Sequence, residues 1–277
     1  MHLQSPIRDF MSSPVIVVSA DDSLEDVLAT LRDHRVTSVA VVGREGQAVG
    51  VLSYSDLLQI GRTFTPWTPS LGLLKMPSMC AGDLVRPKIL HTTAETTIVE
   101  AARELRRLRV QRLYVLEEGK PVGVFSTRDL MRALALAGLR LPISDVMCTE
   151  VPILQWNDPA TSAINLVQGE HGACVVVLDH GQLAGIVTQQ EALAARELAK
   201  DSPAGAIVGY STITLDASMP VDRAARFALA TRARRVLAIQ DGTICGTLSG
   251  LDFATAVARQ STSSNTPSRQ QPTSKPN

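Results

Sequence analysis

The stretch Gly119-Lys120-Pro121-Val122-Gly123-Val124-Phe125-Ser126-Thr127-Arg128-Asp129 decides the fold, because its punctuation recurs along the chain. The pattern is glycine, three residues, glycine, two residues, Ser or Thr, two residues, then an acid. It occurs as Gly46, Gly50, Ser53, Asp56 and as Gly119, Gly123, Ser126, Asp129. It returns as Gly181, Gly185, Thr188, Glu191 and as Gly242, Gly246, Ser249, Asp252. The second glycines follow one another at 73, 62 and 61 residues. A period of this size marks one supersecondary unit repeated. The hydroxyl and the acid are the only polar groups fixed in every copy, so function is sought there first.

Upstream of each signature lies a helical stripe: Leu24, Val27, Leu28, Leu31; Ile98, Ala101, Ala102, Leu105; Ala160, Ala163, Ile164, Val167; Val221, Ala224, Ala225, Ala228. The i, i+3, i+4, i+7 spacing is the buried face of an amphipathic helix. A β-rich run follows each stripe: Val39–Val42, Leu113–Leu116, Cys174–Leu178 and Val236–Ile239. Hairpin turns are expected at Glu45-Gly46, Glu118-Gly119, His180-Gly181 and Asp241-Gly242, where glycine supplies a positive φ. A second strand then crosses the second glycine, and the acid opens another helix, such as Asp129 to Ala137 before Gly138. With a short leading strand such as Val15–Val18 or Ile213–Leu215, the unit is β-α-β-β-α and the fold class is α/β (α+β). Three copies also open alike, at Ile7-Arg8-Asp9-Phe10-Met11, Ala81-Gly82-Asp83-Leu84-Val85 and Ile143-Ser144-Asp145-Val146-Met147; Ala204-Gly205-Ala206-Ile207-Val208 keeps the spacing without the acid. The expected units are 5–62, 79–138, 143–200 and 204–260. A unit of this size is marginal alone, so copies 1 and 2, and 3 and 4, are expected to pair. Thr63–Ser78, with Pro66, Trp67, Pro69 and Pro77, is the expected linker. Ser261–Asn277 has no apolar anchor and is expected to be disordered.

Composition narrows the function. The apolar fraction of 45% suffices for a core, but at 4% aromatic that core must be Val, Leu, Ile and Ala. The 27 basic and 27 acidic residues cancel, which argues against nucleic acid or an anionic membrane as partner. No apolar stretch approaches a membrane span, and Met1–Phe10 lacks a secretory h-region. Four scattered cysteines, Cys80, Cys148, Cys174 and Cys245, fit a reduced, cytoplasmic chain. Cys174 lies within an expected buried strand and reads as core. The five histidines show no zinc spacing, and no P-loop, G-x-G-x-x-G or helix-turn-helix is present.

These residues resemble the CBS domain, the regulatory unit named after cystathionine β-synthase, whose copies pair into Bateman modules. The h-x-D-h-M opening, the β-α-β-β-α order and the G-h-x-[ST]-x-x-D ending all match, and the likeness covers residues 5–260. Gly123-Val124-Phe125-Ser126-Thr127-Arg128-Asp129-Leu130 is the closest copy. The resemblance implies an adenine nucleotide (AMP, ADP or ATP) or S-adenosylmethionine as a regulatory ligand in the clefts of a module. It makes the acid a ribose anchor and the hydroxyl residue a phosphate neighbour. The candidate ligand residues are therefore Ser53 and Asp56, Ser126, Arg128 and Asp129, Thr188, and Ser249 and Asp252. Copy 2 ranks first, with Asp129 as anchor.

The chemistry is sound independently of the family. A carboxylate accepts two hydrogen bonds and so matches a vicinal diol, and a helix start offers free N–H groups to an anion. Glycine in the preceding strand would admit a ligand close to the backbone. The same Ser/Thr-x-x-acid is also a capping box, which needs no ligand. The box prefers Glu or Gln, so Thr188-Gln189-Gln190-Glu191 reads more as a cap than as a site. Arg128 faces either a phosphate or solvent. Arg112 and Arg235 stand at matching positions and could line a cleft. Arg103, Arg106, Arg107, Arg109 and Arg112 read as a solvated helix face. Three functions follow in order: a non-enzymatic ligand sensor, an interaction scaffold with vestigial clefts using Trp67, and last an enzyme, since no nucleophile with a base is visible. The regulated protein is unknown, and the modules could face each other within one chain or across a homodimer.

Overall fold

The computed structural model describes residues 2–63, 73–85, 89–168 and 174–263. Trp67 with most of the expected linker, and residues 264–277 of the expected tail, lie outside them. The first unit comprises β1 (Val17–Ser19), α1 (Leu24–Asp33), β2 (Ser38–Val42), β3 (Ala48–Ser53) and α2 (Tyr54–Thr63). The second opens on the single turn α3 (Ala81–Leu84) and holds β4 (His91–Thr92), α4 (Ile98–Arg107), β5 (Arg112–Glu117), β6 (Lys120–Ser126) and α5 (Thr127–Ala137). The third contains β7 (Ile153–Gln155), α6 (Ala160–Val167), β8 (Val175–Asp179), β9 (Gln182–Val187) and α7 (Gln189–Ala194). The fourth contains β10 (Thr212–Asp216), α8 (Val221–Thr231), β11 (Arg235–Gln240), β12 (Thr243–Leu248) and α9 (Gly250–Ser263).

Each unit forms its own three-stranded sheet in chain order. The leading strand pairs parallel to the second, and the second antiparallel to the third. Even the irregularity repeats, with a register shift at Val41/Val42, Val115/Leu116, Val177/Leu178 and Ala238/Ile239. Three hairpins have two central residues of positive φ, Glu118-Gly119, His180-Gly181 and Asp241-Gly242, the geometry that matches strand twist. The first differs: Gly46 alone is left-handed, in a longer turn where the Gly43 amide donates to the Gln47 carbonyl. Ser23 with Asp26, and Thr97 with Glu100, form reciprocal capping boxes on α1 and α4, and Gly138 ends α5 at φ 68°.

Paired units embrace each other through their opening segments. Ser12 of unit 1 bridges Val124 on β6 of unit 2, while Cys80 at the start of unit 2 bridges Ser23 of unit 1. Cys148 and Thr247, and Ile186 and Gly209, join units 3 and 4 in the same reciprocal way. These exchanges explain the repeated glycine better than ligand approach does. A Cβ on Gly123 would sit 2.5 Å from the Met11 sulfur, and one on Gly246 2.5 Å from that of Met147. On Gly185 it would meet the Gly209 carbonyl at 2.8 Å. The methionine of one unit's opening therefore packs into the glycine of its partner's ending.

The helices bring the two pairs together. One apolar core joins unit 2 to unit 4, through α4, α5, α8 and α9, and a second joins unit 1 to unit 3. The pairs thus face each other within one chain. Ala133, Ala135, Ala224, Ala225, Ala228, Ala254 and Ala256 are buried in the first core, and such small side chains permit close helix approach. Arg226 clasps the joint, its Nε and Nη2 donating to the Ala135 carbonyl at 3.0 and 2.7 Å. Phe253, 1% exposed, is the largest buried side chain that α9 brings to this core. Truncating it leaves a cavity that alanine-rich neighbours fill poorly. Phe253→Ala is expected to cost about 3–5 kcal/mol, read as a lower urea midpoint at unchanged slope.

Candidate functional site

All four signatures sit at the start of the second helix of their unit, and in all four the Ser or Thr amide and hydroxyl donate to the acid; in copy 4 the Ser249 hydroxyl accepts from the Leu251 amide instead of that of Asp252. Ser126 donates to Asp129 Oδ2 from its backbone N (2.8 Å) and its Oγ (2.6 Å), and the Asp129 amide returns a bond to Ser126 Oγ at 3.4 Å. Ser53 donates to Asp56 Oδ2 at 2.9 and 2.5 Å, and Ser249 to Asp252 Oδ2 at 2.6 and 2.8 Å. The Thr188 amide reaches Glu191 Oε2 at 3.1 Å, with the hydroxyl on the same oxygen. The preference of capping boxes for Glu therefore does not separate copy 3 from the rest. Aspartate closes the box as well as glutamate does.

The surroundings do separate them. Asp129 is 1% exposed, and its remaining oxygen Oδ1 accepts from Arg132 at 2.8 Å. Burial pushes its carboxyl above the usual range, although Ser126, Arg132 and Arg112 pull it down. Arg112 crosses from β5 into unit 1, where Nη1 donates to the Ser38 carbonyl at 2.6 Å and Nη2 to Thr37 Oγ1. Tyr114, also buried, lies beside it. At copy 2 the cleft between units 1 and 2 thus carries Arg112 and Tyr114 beside Asp129. In copy 3 Thr188 is buried, and Gly209 backs so closely onto Glu191 that a Cβ there would lie 2.6 Å from Oε1. Asp56 of copy 1 is exposed.

Copy 4 opens onto a cavity of about 880 Å³. Unit 4 contributes Arg235, Thr247, Ser249, Leu251, Asp252 and Thr255, and unit 3 contributes Cys148, Glu150, Pro152 and Cys174. The remaining wall comes from the other pair: Arg103, Arg106, Arg107 and Arg109, at the C-terminal end of α4. Four of the five arginines expected to form a solvated face therefore line this cavity. Its legible signal was excess. Four arginines share one helix end, against Glu100 and Glu104 in the same helix, the latter bonded to Arg107 at 2.7 and 3.1 Å. Arg235 occupies the position equivalent to Arg112. Its Nη1 donates to the adjacent Arg234 carbonyl at 2.9 Å and its side chain also meets the Cys174 thiol, and the cavity stays open around it. Burial raises the Asp252 carboxyl, while Ser249 and then Arg235 oppose the shift.

Arg128 lies exposed in the first turn of α5. Burial lowers its pKa, and Arg132, Arg232 and Arg234 lower it further. It therefore belongs to a second basic cluster spanning units 2 and 4, the counterpart of the arginine wall. The two sites are related by exchanging the pairs: the end of α4 meets the signature of unit 4, and the end of α8 meets that of unit 2. Among the described residues no group of three or more His, Cys, Asp or Glu is placed to hold a metal, and no helix is long and apolar enough to cross a membrane.

The CBS domain profile matches residues 7–62, 81–136 and 143–197, more than half of the chain. The chain belongs to the CBS-domain family. Residues beyond 197 fall outside these matches, although the fourth unit repeats the strand order of the other three. Protein MJ1426 of Methanocaldococcus jannaschii is 26% identical over 152 residues, 46% of this chain and 90% of that protein. The chloride channel protein ClC-Ka of Rattus norvegicus is 27% identical over 132 residues, 47% of this chain but only 19% of the channel's length. The crystal structure of protein MJ1225 from M. jannaschii covers 90% of this chain and 99% of its own, with a TM-score of 0.72 at 13% identity. That likeness is one of fold.

Proposed function

We propose that this chain is a non-enzymatic regulatory sensor, built of four CBS units in two Bateman modules, that binds a phosphorylated adenine nucleotide in the cavity at Asp252. One observation carries the reading: five guanidinium groups and two carboxylates, Glu150 and Asp252, surround one cavity beside a helix start. Asp252 meets the ribose hydroxyls through the oxygen its capping box leaves over, Ser249 and the α9 amides stand near the first phosphate, and the α4 arginines take the outer phosphates. Guanidinium forks match phosphate oxygens. S-adenosylmethionine carries a sulfonium cation and no phosphate, so AMP, ADP or ATP suits the site better. Ligand would draw the modules together, since its two ends contact different pairs, and that differential grip is what shifts an equilibrium. A regulated partner protein, at work in the cytoplasm, would read this packing.

A scaffold without ligand is the second reading, favoured by the self-satisfied capping boxes. Thermal melts with AMP, ADP, ATP and S-adenosylmethionine separate the two. ATP or ADP at 100 times Kd should stabilise the fold by about 2.7 kcal/mol. No shift with any of the four at millimolar concentration would leave the scaffold.

A further inference from the structure

The cavity wall holds two of the four cysteines, and nothing in nucleotide binding uses them. Cys148 is exposed, in the opening segment of unit 3, and Cys174 is 4% exposed, immediately before β8. Both line the cavity. Thr247 places them beside each other. Its backbone is paired with Cys148 in both directions, at 2.9 and 2.8 Å, and its side chain touches the Cys174 thiol. Directly opposed residues of an antiparallel bridge have Cβ atoms about 4.5–5.5 Å apart, so both thiols lie within one side chain's reach of Thr247. Cys80 and Cys245 stand elsewhere: Cys80 caps α3, and the Cys245 sulfur bonds the Ala238 carbonyl on β11.

We propose that Cys148 and Cys174 form a peroxide-responsive thiol pair in the wall of this cavity. Cys148, the exposed member, attacks hydrogen peroxide, its sulfur taking one oxygen as the O–O bond breaks and one water leaves. The Cys174 sulfur then attacks the sulfenic acid, the S–S bond forms, and the second oxygen departs as water. Two thiols and one peroxide thus become one disulfide and two waters. Burial raises the Cys174 thiol, so the exposed Cys148 is the one to meet peroxide first. The bond would draw the start of β8 toward the opening segment of unit 3, across the space between Arg235 and the arginines of α4. A reversible bond of this kind is the usual form of a cytosolic disulfide.

The consequence for ligand rests on the nucleotide reading above, but the pair itself is tested without nucleotide. The reduced full-length chain is treated with stoichiometric hydrogen peroxide, blocked with iodoacetamide and weighed intact, then digested without reductant. Two fewer alkyl groups than on the reduced chain blocked in the same way, and a peptide joining Cys148 to Cys174, are expected; the deficit and the peptide should both be absent in Cys148→Ser and retained in Cys80→Ser/Cys245→Ser. Should Cys148→Ser fold poorly, the alkylation pattern of the parent decides alone. Four alkylated thiols after peroxide, or a bond between any other two cysteines, would overturn the pair. ADP titration of both redox forms then follows. A tenfold or greater loss on oxidation supports closure of the cavity, and equal affinity overturns closure. Should the reduced chain bind no nucleotide, the sensor reading falls while the mapped bond still stands.

Discussion

Replacing Arg106 and Arg107 together by alanine is expected to lower ATP affinity by about two to four orders of magnitude, because each charged hydrogen bond to a phosphate accounts for roughly one to two. The ligand-free chain should melt where the parent does. Both side chains are exposed, and the one ion pair removed, Arg107 with Glu104, lies at the surface, where such pairs contribute little. Two controls give the result its meaning. AMP, with one phosphate, should lose less than ATP. Parent affinity for ATP should fall as salt rises, and more steeply than that of the variant. Calorimetric titration at two salt concentrations reads all of this. Unchanged ATP affinity in the variant would return the α4 arginines to the role of a solvated face. Because these residues belong to unit 2 while Asp252 belongs to unit 4, the same experiment tests whether the ligand spans the two modules.

The fold was legible because its evidence is local and repeated. The stripes at Leu24, Ile98, Ala160 and Val221, and the glycine of each turn, act within a few residues, and four copies guard against misreading any one. The pairing of units 1 with 2 and 3 with 4 was legible from size alone. Its mechanism was not, because the packing of Met11 on Gly123 and Met147 on Gly246 joins residues about a hundred apart whose codes look independent. The facing of unit 2 on unit 4 was hidden for a similar reason. Alanine at Ala133, Ala225 and Ala254 reads simply as a good helix former, and only the assembled cores show that its small size lets the helices close. The candidate site was legible as a residue type and not as a place. The signature gives the same hydroxyl and acid four times, whereas access depends on neighbours outside it: Arg112 and Tyr114 of β5 beside Asp129, Gly209 of unit 4 against Glu191, and the arginine wall of unit 2 before Asp252.

That difference in neighbours sets the contrast between Asp129 and Asp252. Likeness to the family pattern ranks copy 2 first; the open cavity favours copy 4. Asp252→Ala removes the proposed ribose anchor, and the loss of one or two charged hydrogen bonds should weaken ADP binding by about 10- to 150-fold. Asp129→Ala removes a carboxylate already engaged by Ser126 and Arg132, so it should leave ADP affinity within about threefold. It should instead lower stability by about 1–3 kcal/mol through the lost cap and the uncompensated Arg132 and Arg112. Acidity provides an independent check. Burial raises both carboxyls, so the folded chain holds these protons more tightly than the unfolded chain does. Their contribution to stability is therefore present below the ordinary aspartate value of about 3.9 and is lost as pH rises through the raised folded value. Ligand acts in the opposite sense. Accepting ribose hydroxyls needs the ionised form of Asp252, so ADP affinity should drop as pH is lowered through its raised pKa, and Asp252→Ala should flatten that drop. Titration of both variants across pH, beside a melting curve for each, decides the matter. If Asp129→Ala abolishes binding while Asp252→Ala binds as the parent does, the ligand enters the cleft of copy 2 by displacing Arg112, and the cavity at copy 4 is not the sensing site.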